Sequence, residues 1–504
     1  MARLFNKLAT RELARLQVAR YTNKADHWSV IRKKKTHMDK ALKHFDEFYG
    51  NVYGKSWENI RTALLMEEHK YMAVVNNFSD IDRIKSELES QGAMNLRAIY
   101  KTYKEHIDAN YRKSNRKKRK ENEAGGRMKS VIANAETSAI QSHYPADYAS
   151  PPTSLSTKDN EEDIAPENQG LQPVEMKSIE SNLNEISLDE NRIVHPSATL
   201  SGLYEFVPAT KIKGLEDWVL ESQHYGYYKE GLDFTVKVEK EVLLTFPQYF
   251  NVYTFEENND SKFPSPKKGS TGVLDYYLLD GASVLPVLAL DLQPGDAVLD
   301  MCAAPGGKTL SILQTLTPHV MVANDIQASR VQRIHKVIDE YIAGIGQWNE
   351  RLFVTERDAR FIDDKDMYNK ILVDVPCTTD RHVLHSEDNN IFKPQRIRER
   401  LKMPELQADI LTNALKIISV GGTVVYSTCS LSPVQNDGVV GMALKKVWEE
   451  TNSIMVVKDM RKSLAPLRCL YEFGKFGLKY GHIAIPTLDN NWGPMYFCKI
   501  VRTR

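Results

Sequence analysis

The chain has 504 residues, of which 42% are hydrophobic and 26% are charged, and its formal net charge is +1. This length allows more than one domain, and a net charge near zero means that any signal for a nucleic-acid partner must be local. Five cysteines without paired spacing exclude a disulfide framework, and no apolar run in the sequence reaches the roughly 18–20 residues of a membrane span.

The first 25 residues have the pattern of a mitochondrial transit peptide. Arg3, Lys7, Arg11 and Arg15 recur every four residues, Leu and Phe residues supply an apolar face, and Glu12 is the only acid in this stretch. An Arg-rich, acid-poor amphipathic segment is typical of such signals, with an ordinary surface helix or a basic membrane-surface helix as the alternatives. We therefore predict the mitochondrial matrix as the location.

Residues 38–112 are predicted to form a helical N-terminal region, because Leu, Ile, Met and Tyr recur there at helical spacing. A basic block, Asn115–Lys120, follows. Such blocks bind nucleic acid or, more often, are solvated helix ends. Residues 121–198 are rich in Ser, Asn, Glu and Pro and have too little apolar surface to offset the entropy of ordering. We predict a basic block and a disordered linker over 113–198.

Ordered sequence resumes near residue 203, and from about 272 apolar runs of strand length alternate with helical stretches. This alternation is typical of an open, mostly parallel sheet with helices on both faces. It predicts an α/β, Rossmann-like fold with a mainly helical N-terminal extension. The predicted strands are 297–301, 320–323, 352–355, 370–373 and 423–427, and the predicted helices are 308–316, 328–342, 404–418 and 435–448.

The segment Asp300–Thr309, DMCAAPGGKT, lies where the first of these strands ends and the first helix begins. In doubly wound sheets this loop approaches a nucleotide, and Gly306 and Gly307 allow the backbone to come close to a ligand. The segment ends like a phosphate-binding P-loop. However, Cys302 stands where that motif needs its first glycine, and Pro305 removes an N–H donor. We therefore reject a nucleoside-triphosphatase.

Acidic residues follow four predicted strands: Asp300, Asp325, Asp358 and Asp374. Asp325 comes about 20 residues after the Gly-rich turn, where a carboxylate hydrogen-bonds ribose hydroxyls, and a helix cap is its alternative role. Asp358 is expected near an adenine edge. Four carboxylates beside such a turn favour a positively charged, adenosine-containing cofactor over a nicotinamide dinucleotide, whose pyrophosphate is anionic.

Two further segments, Asp374–Asp380 and Tyr426–Asn436, place Cys377 and Cys429 just past predicted strands. On spacing alone these would be buried structural thiols. Together with Asp300–Thr309, however, the segments closely resemble the motifs of the Sun-domain RNA cytosine-5 methyltransferases, the family that includes bacterial 16S rRNA enzymes. The resemblance implies S-adenosylmethionine bound on a Rossmann-like sheet.

The resemblance covers about 203–504, which it identifies as an RNA cytosine-5 methyltransferase domain with its catalytic core from about 272. Several segments are most similar to the mitochondrial ribosomal-RNA branch of the family. They are Phe48–Gly54, Tyr276–Tyr277, Ala282–Leu290, Asp374–His382 and Asn389–Lys393.

By this resemblance, Cys429 is the nucleophile that adds to carbon 6 of cytosine, Cys377 assists release, and Asp374 holds the cytosine edge. A free thiol is only a few per cent ionised at pH 7, so the site is expected to lower the thiol pKa or to supply a base. The predicted cofactor-binding residues are Ala304, Pro305, Gly306, Gly307, Lys308, Asp325, Arg330, Asp358, Ala359 and Asp374.

A solvated lysine at a helix start is the alternative interpretation of Lys308. The target base must be unstacked or single-stranded to reach such a pocket. Candidates for contacts with the RNA phosphates around it are Arg330, Arg381, His382, Lys393 and Arg396. We see no metal-ligand spacing of Cys or His in the sequence.

The function that the resemblance implies is S-adenosylmethionine-dependent methylation of carbon 5 of a cytosine in mitochondrial small-subunit rRNA, with a role in ribosome assembly. Mitochondrial tRNA is the alternative substrate. An assembly scaffold whose methyl transfer is dispensable is the alternative class. The implied partners are mitochondrial rRNA, the mitochondrial ribosomal subunits and a helical-repeat protein of the mitochondrial transcription-termination-factor type.

Overall fold

The structure, a computed structural model, describes residues 36–110 and 235–504, except 258, 260, 349 and 475. The predicted transit peptide, basic block and linker therefore lie outside the described residues. Two sheets, of four and ten strands, organise the described chain. Within these ranges, no helix combines the length and apolar character needed to cross a bilayer.

The larger sheet forms from the predicted alternation of strands and helices. Its parallel centre has the strand order 10-9-6-7-8, so the order reverses between strands 6 and 9. Ligands bind in the crevice beyond the carboxyl ends of strands at such a reversal. These strands are β6 (Ala297–Asp300), β7 (Val320–Asn324), β8 (Leu352–Thr355), β9 (Tyr368–Asp374) and β10 (Ile418–Thr428).

Both faces of this sheet are buried, which explains why its strands are nearly continuous apolar runs. Along β9, Ile371 and Val373 belong to one core cluster, whereas Leu372 belongs to the cluster on the other face. This alternation follows from the two-residue period of a strand. The predicted Rossmann-like fold is confirmed.

The helices that follow the strands are α5 (Val284–Ala289), α6 (Gly307–Leu313), α7 (Ala328–Tyr341), α8 (Asp380–His385), α9 (Ile397–Ile417) and α10 (Val439–Glu450). Helix α9 begins before the predicted 404, and Pro404 lies inside it. Proline removes one backbone hydrogen bond, but the buried face around Met403, Gln407 and Ala408 continues through it. A π-helical turn, Val434–Gly438, precedes α10.

Further strands extend the sheet beyond β10. The last strand is β14 (Met495–Arg502), which pairs antiparallel with β10 and buries Cys498. Strands β11 and β13 also pair with β14, while β3 and β12 lie outside them. Their bounds are β3 (Lys237–Lys240), β11 (Met455–Asp459), β12 (Glu472–Gly474) and β13 (His482–Ile485).

The predicted helical region at 38–112 contains strands as well as helices. Strand β1 (Tyr71–Val75) pairs with β4 (Val252–Thr254) and β5 (Tyr276–Asp280), which come more than 170 residues later in the chain. These partners form the four-stranded sheet together with β2 (Met94–Asn95). The helices of this region are α1 (His37–Tyr53), α2 (Trp57–Leu64), α3 (Ile81–Ser90) and α4, over 96–110. Short-range periodicity does not reveal a strand whose partners are so distant.

Helix α1 is part of the main core. It begins with a capping box between Thr36 and Asp39. Its buried aromatic residues Phe45, Tyr49 and Tyr53 recur at four-residue spacing and belong to the same core cluster as the inner strands. This helix packs against α8, the helix that follows the first cysteine segment.

Candidate active site

The two candidate cysteines meet at the carboxyl ends of neighbouring strands. In the parallel ladder between β9 and β10, Asp374 pairs with Ser427, so the loops that follow leave the same edge of the sheet. The sulfurs of Cys377 and Cys429 lie 2.7 Å apart. Cys377 is buried and Cys429 is half-buried, which leaves Cys429 the more accessible thiol.

Lys308 and Asp374 form an ion pair beside the cysteines. The Lys308 ammonium lies 2.8 Å from Oδ2 of Asp374, and the Ser427 hydroxyl donates to Oδ1 of Asp374 at 2.7 Å. The Lys308 side chain is only 12% exposed, which excludes a solvated lysine. Burial lowers the pKa of Lys308, but the pairing with Asp374 outweighs burial, so its pKa is raised and it stays charged.

The surroundings raise the pKa of the Cys429 thiol well above its ordinary value. The largest cause is the contact with Cys377, followed by burial and the negative charge of Asp374, while Lys308 acts in the opposite direction. The expectation that the site lowers this pKa is therefore wrong for the free chain. The other option, a base that accepts the Cys429 proton, stays a prediction.

The Gly-rich turn is held close to the second strand-end acid. Gly306 adopts φ = 110°, a left-handed conformation that favours glycine, and is the N-cap residue of α6. The Arg330 guanidinium donates to the Ala304 carbonyl at 2.9 Å and lies 3.2 Å from the Asp325 carboxylate. Arg330 thus fixes the turn against Asp325, which lies just past β7 and is buried.

Asp300, at the end of β6, has a buried carboxyl group, and one of its oxygens lacks a hydrogen-bond partner among the described residues. Thr309 donates to its Oδ2 at 2.7 Å, whereas Oδ1 has no hydrogen-bond partner among the described residues. Burial raises the pKa of Asp300 to about 7, and the charge of Asp374 adds to this effect. A positive charge near this carboxyl would relieve the cost of its burial.

The remaining predicted residues are engaged with the protein itself. Both oxygens of Asp358 accept from Arg360, with a closest distance of 2.6 Å, and this pairing lowers the Asp358 pKa. Ala359 is buried beside it. Arg381 donates to the carbonyls of Gly493 and Asn491. Contacts of Asp358 with adenine and of Arg381 with phosphate stay predictions.

Two of the other phosphate candidates also have internal partners. His382 contacts the carbonyl of Asp388 at 2.9 Å, and Arg396 is paired with Glu399. Arg330 is committed to the Gly-rich turn. A contact between one of these side chains and an RNA phosphate would have to compete with its hydrogen bonds inside the protein. The contacts of His382, Lys393 and Arg396 with phosphates around the target base stay predictions.

Similarity to known proteins establishes the family to which this chain belongs. The family described as 16S rRNA methyltransferase RsmB/F matches residues 287–465. A Caenorhabditis elegans protein named 5-cytosine rRNA methyltransferase nsun-4 is 33% identical over 476 residues, which cover 93% of this chain and 92% of that protein. The chain belongs to the RsmB/F family.

Two vertebrate relatives align with about half of the chain. A Mus musculus protein named 5-cytosine rRNA methyltransferase NSUN4 is 46% identical over 50% of this chain and 66% of its own length. A Danio rerio protein named tRNA (cytosine(34)-C(5))-methyltransferase, mitochondrial, is 35% identical over 47% of this chain and 64% of its own length. The predicted enzyme class, an S-adenosylmethionine-dependent RNA cytosine-5 methyltransferase of the RsmB/F family, is confirmed.

The residues around the Gly-rich turn fit the cofactor of the RsmB/F family. S-adenosylmethionine carries a sulfonium and an ammonium, and Asp300, Asp325 and Asp374 place three carboxyl groups around this turn. The unpartnered oxygen of Asp300 is the specific observation that favours a cationic ligand. Ala304, Pro305, Gly306 and Gly307 would hold such a ligand through their backbone, and Asp325 through ribose hydroxyls.

Gly307 tests this assignment because its neighbours leave no room for a side chain. A Cβ atom there would lie 3.0 Å from the Tyr277 ring, closer than a normal van der Waals contact. We expect Gly307→Ala to displace the turn and weaken S-adenosylmethionine binding about tenfold, measured by titration calorimetry, since overpacking costs about 1–3 kcal/mol. Gly346→Ala, where a Cβ would meet open space, is the matched control. Equal affinities in both variants would contradict the assignment.

The sequence did not point to the residues that support the cysteine loops. Gln407 on α9 donates to the Pro376 carbonyl at 2.7 Å, and Gln435 accepts from the Thr378 amide at 3.2 Å. Both glutamines are buried, and a buried amide within an apolar helical pattern is the signal that would have drawn attention to them. Asp380 and Tyr49 belong to the same support.

Proposed function

We propose that this protein methylates carbon 5 of a cytosine in mitochondrial small-subunit rRNA, through a covalent bond between Cys429 and carbon 6, and thereby takes part in mitochondrial ribosome assembly. The observation that carries this proposal is the contact between the two thiols, 2.7 Å apart, beside the Lys308–Asp374 ion pair. In their thiolate forms, two cysteines at one strand edge supply a nucleophile for the addition and a base for the release.

The chemistry begins at Cys429. Its thiol gives up its proton to solvent, which reaches the half-buried sulfur, and the thiolate forms a bond to carbon 6 of cytosine, which moves the electron pair of the ring double bond to carbon 5. S-adenosylmethionine, when bound, supplies an electrophilic methyl group for carbon 5. The charged Lys308 favours the thiolate form of Cys429. The proposed role of Asp374, which accepts a hydrogen bond from Ser427, is to hold the cytosine edge.

Release requires a second residue. After methylation, carbon 5 still carries its proton, and the bond between Cys429 and carbon 6 breaks only when that proton leaves. Cys377, acting as a thiolate, takes the proton, the double bond between carbons 5 and 6 re-forms, and the Cys429 thiolate departs. Cys377 is buried in the loop after β9, where bulk water competes poorly for this step.

The names of the relatives support the RNA substrate. The worm and mouse proteins are named as rRNA methyltransferases, and the worm protein aligns over nearly its whole length. The transit-like pattern of residues 1–25 supports the mitochondrial matrix, in agreement with the word mitochondrial in the name of the zebrafish relative. That name also keeps mitochondrial tRNA as the second candidate substrate.

We further propose that a partner protein supplies part of the contacts that bind the RNA. Arg330, Arg381 and Arg396 all have internal partners, which leaves little free positive charge among the predicted phosphate contacts. A helical-repeat protein of the mitochondrial transcription-termination-factor type and the ribosomal subunits are the proposed partners. Purification of the tagged protein that never recovers such a partner would count against this part.

Bisulfite sequencing of mitochondrial rRNA and tRNA, with and without this protein, tests the proposed function. The expected result is the loss of 5-methylcytosine at a small-subunit rRNA position, with the tRNA positions unchanged. Loss at a tRNA position alone would favour the second substrate. No change at any cytosine would contradict the proposed rRNA and tRNA substrates together.

A further inference from the structure

The residues that follow the two cysteines share one hydrogen-bond acceptor. Thr378 comes directly after Cys377 and donates from its hydroxyl to Oδ1 of Asp380. Ser430 comes directly after Cys429 and its hydroxyl lies 3.2 Å from both oxygens of Asp380. The two hydroxyls also contact each other at 2.9 Å. One carboxylate therefore connects the two loops that carry the thiols.

Two more donors complete the environment of Asp380. The Leu431 amide donates to Oδ2 at 2.7 Å, and so does the Tyr49 hydroxyl, also at 2.7 Å. Asp380 is completely buried and Tyr49 nearly so. A buried carboxylate with several donors is held rigidly, because each lost bond leaves charge without compensation. Tyr49 thus couples the N-terminal helix α1 to both cysteine loops.

We propose that Tyr49 and Asp380 are positioning residues that set the separation of Cys377 and Cys429, and thereby the rate at which the covalent RNA adduct is released. This inference rests on the proposed roles of the two cysteines. Proton transfer between a bound intermediate and Cys377 requires placement within a hydrogen-bond distance, and a displacement of about 1 Å costs on the order of 100-fold in rate.

The experiment uses the full chain with tritiated S-adenosylmethionine and a transcript of the mitochondrial small-subunit rRNA. Product is measured by methyl incorporation, and adduct by the RNA that stays with the protein on a denaturing gel. We expect Tyr49→Phe to lower kcat about tenfold, to leave KM for the RNA within about twofold, and to raise the ratio of adduct to product several-fold. Asp380→Asn is expected to shift the ratio in the same direction.

Tyr253→Phe is the matched control, because it removes a tyrosine–carboxylate hydrogen bond of similar length. Tyr253 lies on β4 of the four-stranded sheet, and its hydroxyl donates to Glu89 at 2.8 Å. A variant that is only less stable forms less adduct and less product together, whereas a displaced Cys377 changes their ratio. If Asp380→Asn does not fold, the result for Tyr49→Phe alone tests the inference, because this variant removes one hydroxyl and leaves the rest of the side chain in place. An unchanged ratio in Tyr49→Phe would overturn the inference.

Cys377→Ala, measured in parallel, separates this inference from the function on which it rests. If Cys377→Ala accumulates adduct and Tyr49→Phe does not shift the ratio, the inference alone fails. If Cys377→Ala forms no adduct, the proposed release role fails and the inference falls with it. Adduct in both variants, with the control unchanged, supports the inference and the release role.

Discussion

Replacement of Cys429 with alanine is expected to reduce methyl transfer by at least about 10⁴-fold. Carbon 5 of cytosine is too weak a nucleophile until a thiolate has added to carbon 6, and Cys429 is the more accessible of the two thiols at this strand end. The measurement is the single-turnover incorporation of tritiated methyl groups into the small-subunit rRNA transcript. Binding of S-adenosylmethionine, measured by calorimetry, should be retained, because Cys429 is not one of the predicted cofactor-binding residues.

Cys498→Ala is the matched control for this prediction. Cys498 is a completely buried thiol on β14, opposite Tyr426 in β10, so it lies in the same sheet but not at the strand ends. Its replacement should lower stability by about 1–2 kcal/mol and leave methylation within a few-fold of wild type. A Cys429→Ala variant that keeps more than about a tenth of the activity would contradict the role of nucleophile.

The raised pKa of Cys429 gives this prediction a pH signature. Because the contact with Cys377 and burial favour the thiol, the thiolate fraction in the free chain increases with pH throughout the neutral range. The rate of adduct formation should therefore rise from pH 6 to pH 9 without levelling off. A plateau below pH 7 would indicate a lowered pKa and would contradict the electrostatics of this site.

The same variant separates the enzyme from a scaffold. If the protein acts only as an assembly scaffold, cells that carry Cys429→Ala in place of the wild type should assemble mitochondrial ribosomes normally. If methyl transfer is needed, small-subunit rRNA in assembled ribosomes should decrease in sucrose gradients. Cys498→Ala serves again as the control for the amount of folded protein.

Much of the catalytic core was predictable because its signals are local. The strand β8 was predicted with its observed bounds, and β6 and β9 differ from the predictions by one or two residues at an end. Cys377 and Cys429 were each predicted to lie just past a strand, and the carboxyl ends of parallel strands lie at one edge of a sheet. The ladder between β9 and β10 produces this arrangement.

The parts that could not be predicted depend on contacts between distant residues. Tyr49 and Asp380 are 331 residues apart, and no local pattern links a tyrosine on an amphipathic helix to a carboxylate after a strand. Strand β1 was missed for the same reason, since its partners follow residue 250. The direction of the Cys429 pKa depends on the placement of Cys377, Asp374 and Lys308 in three dimensions.

Replacement of Cys377 with alanine is expected to trap the covalent RNA adduct. Cys429 remains able to add to carbon 6, but without Cys377 no base is positioned to accept the carbon 5 proton. Loss of a general base typically lowers the rate of a proton-transfer step by about 10²–10⁴-fold. Turnover should fall by that factor, while a burst of up to one methyl group per protein is retained. The adduct is measured as slowly migrating RNA–protein on a denaturing gel.

A double variant tests which of the two thiols forms the bond to RNA. Cys377→Ala combined with Cys429→Ala should form no adduct, because the trapped species depends on the Cys429 sulfur. The removal of Cys377 also removes the largest cause of the raised Cys429 pKa, so addition in Cys377→Ala should begin at lower pH than in the wild type. If Cys429→Ala traps RNA and Cys377→Ala does not, the roles are exchanged, and the more buried thiol is the nucleophile.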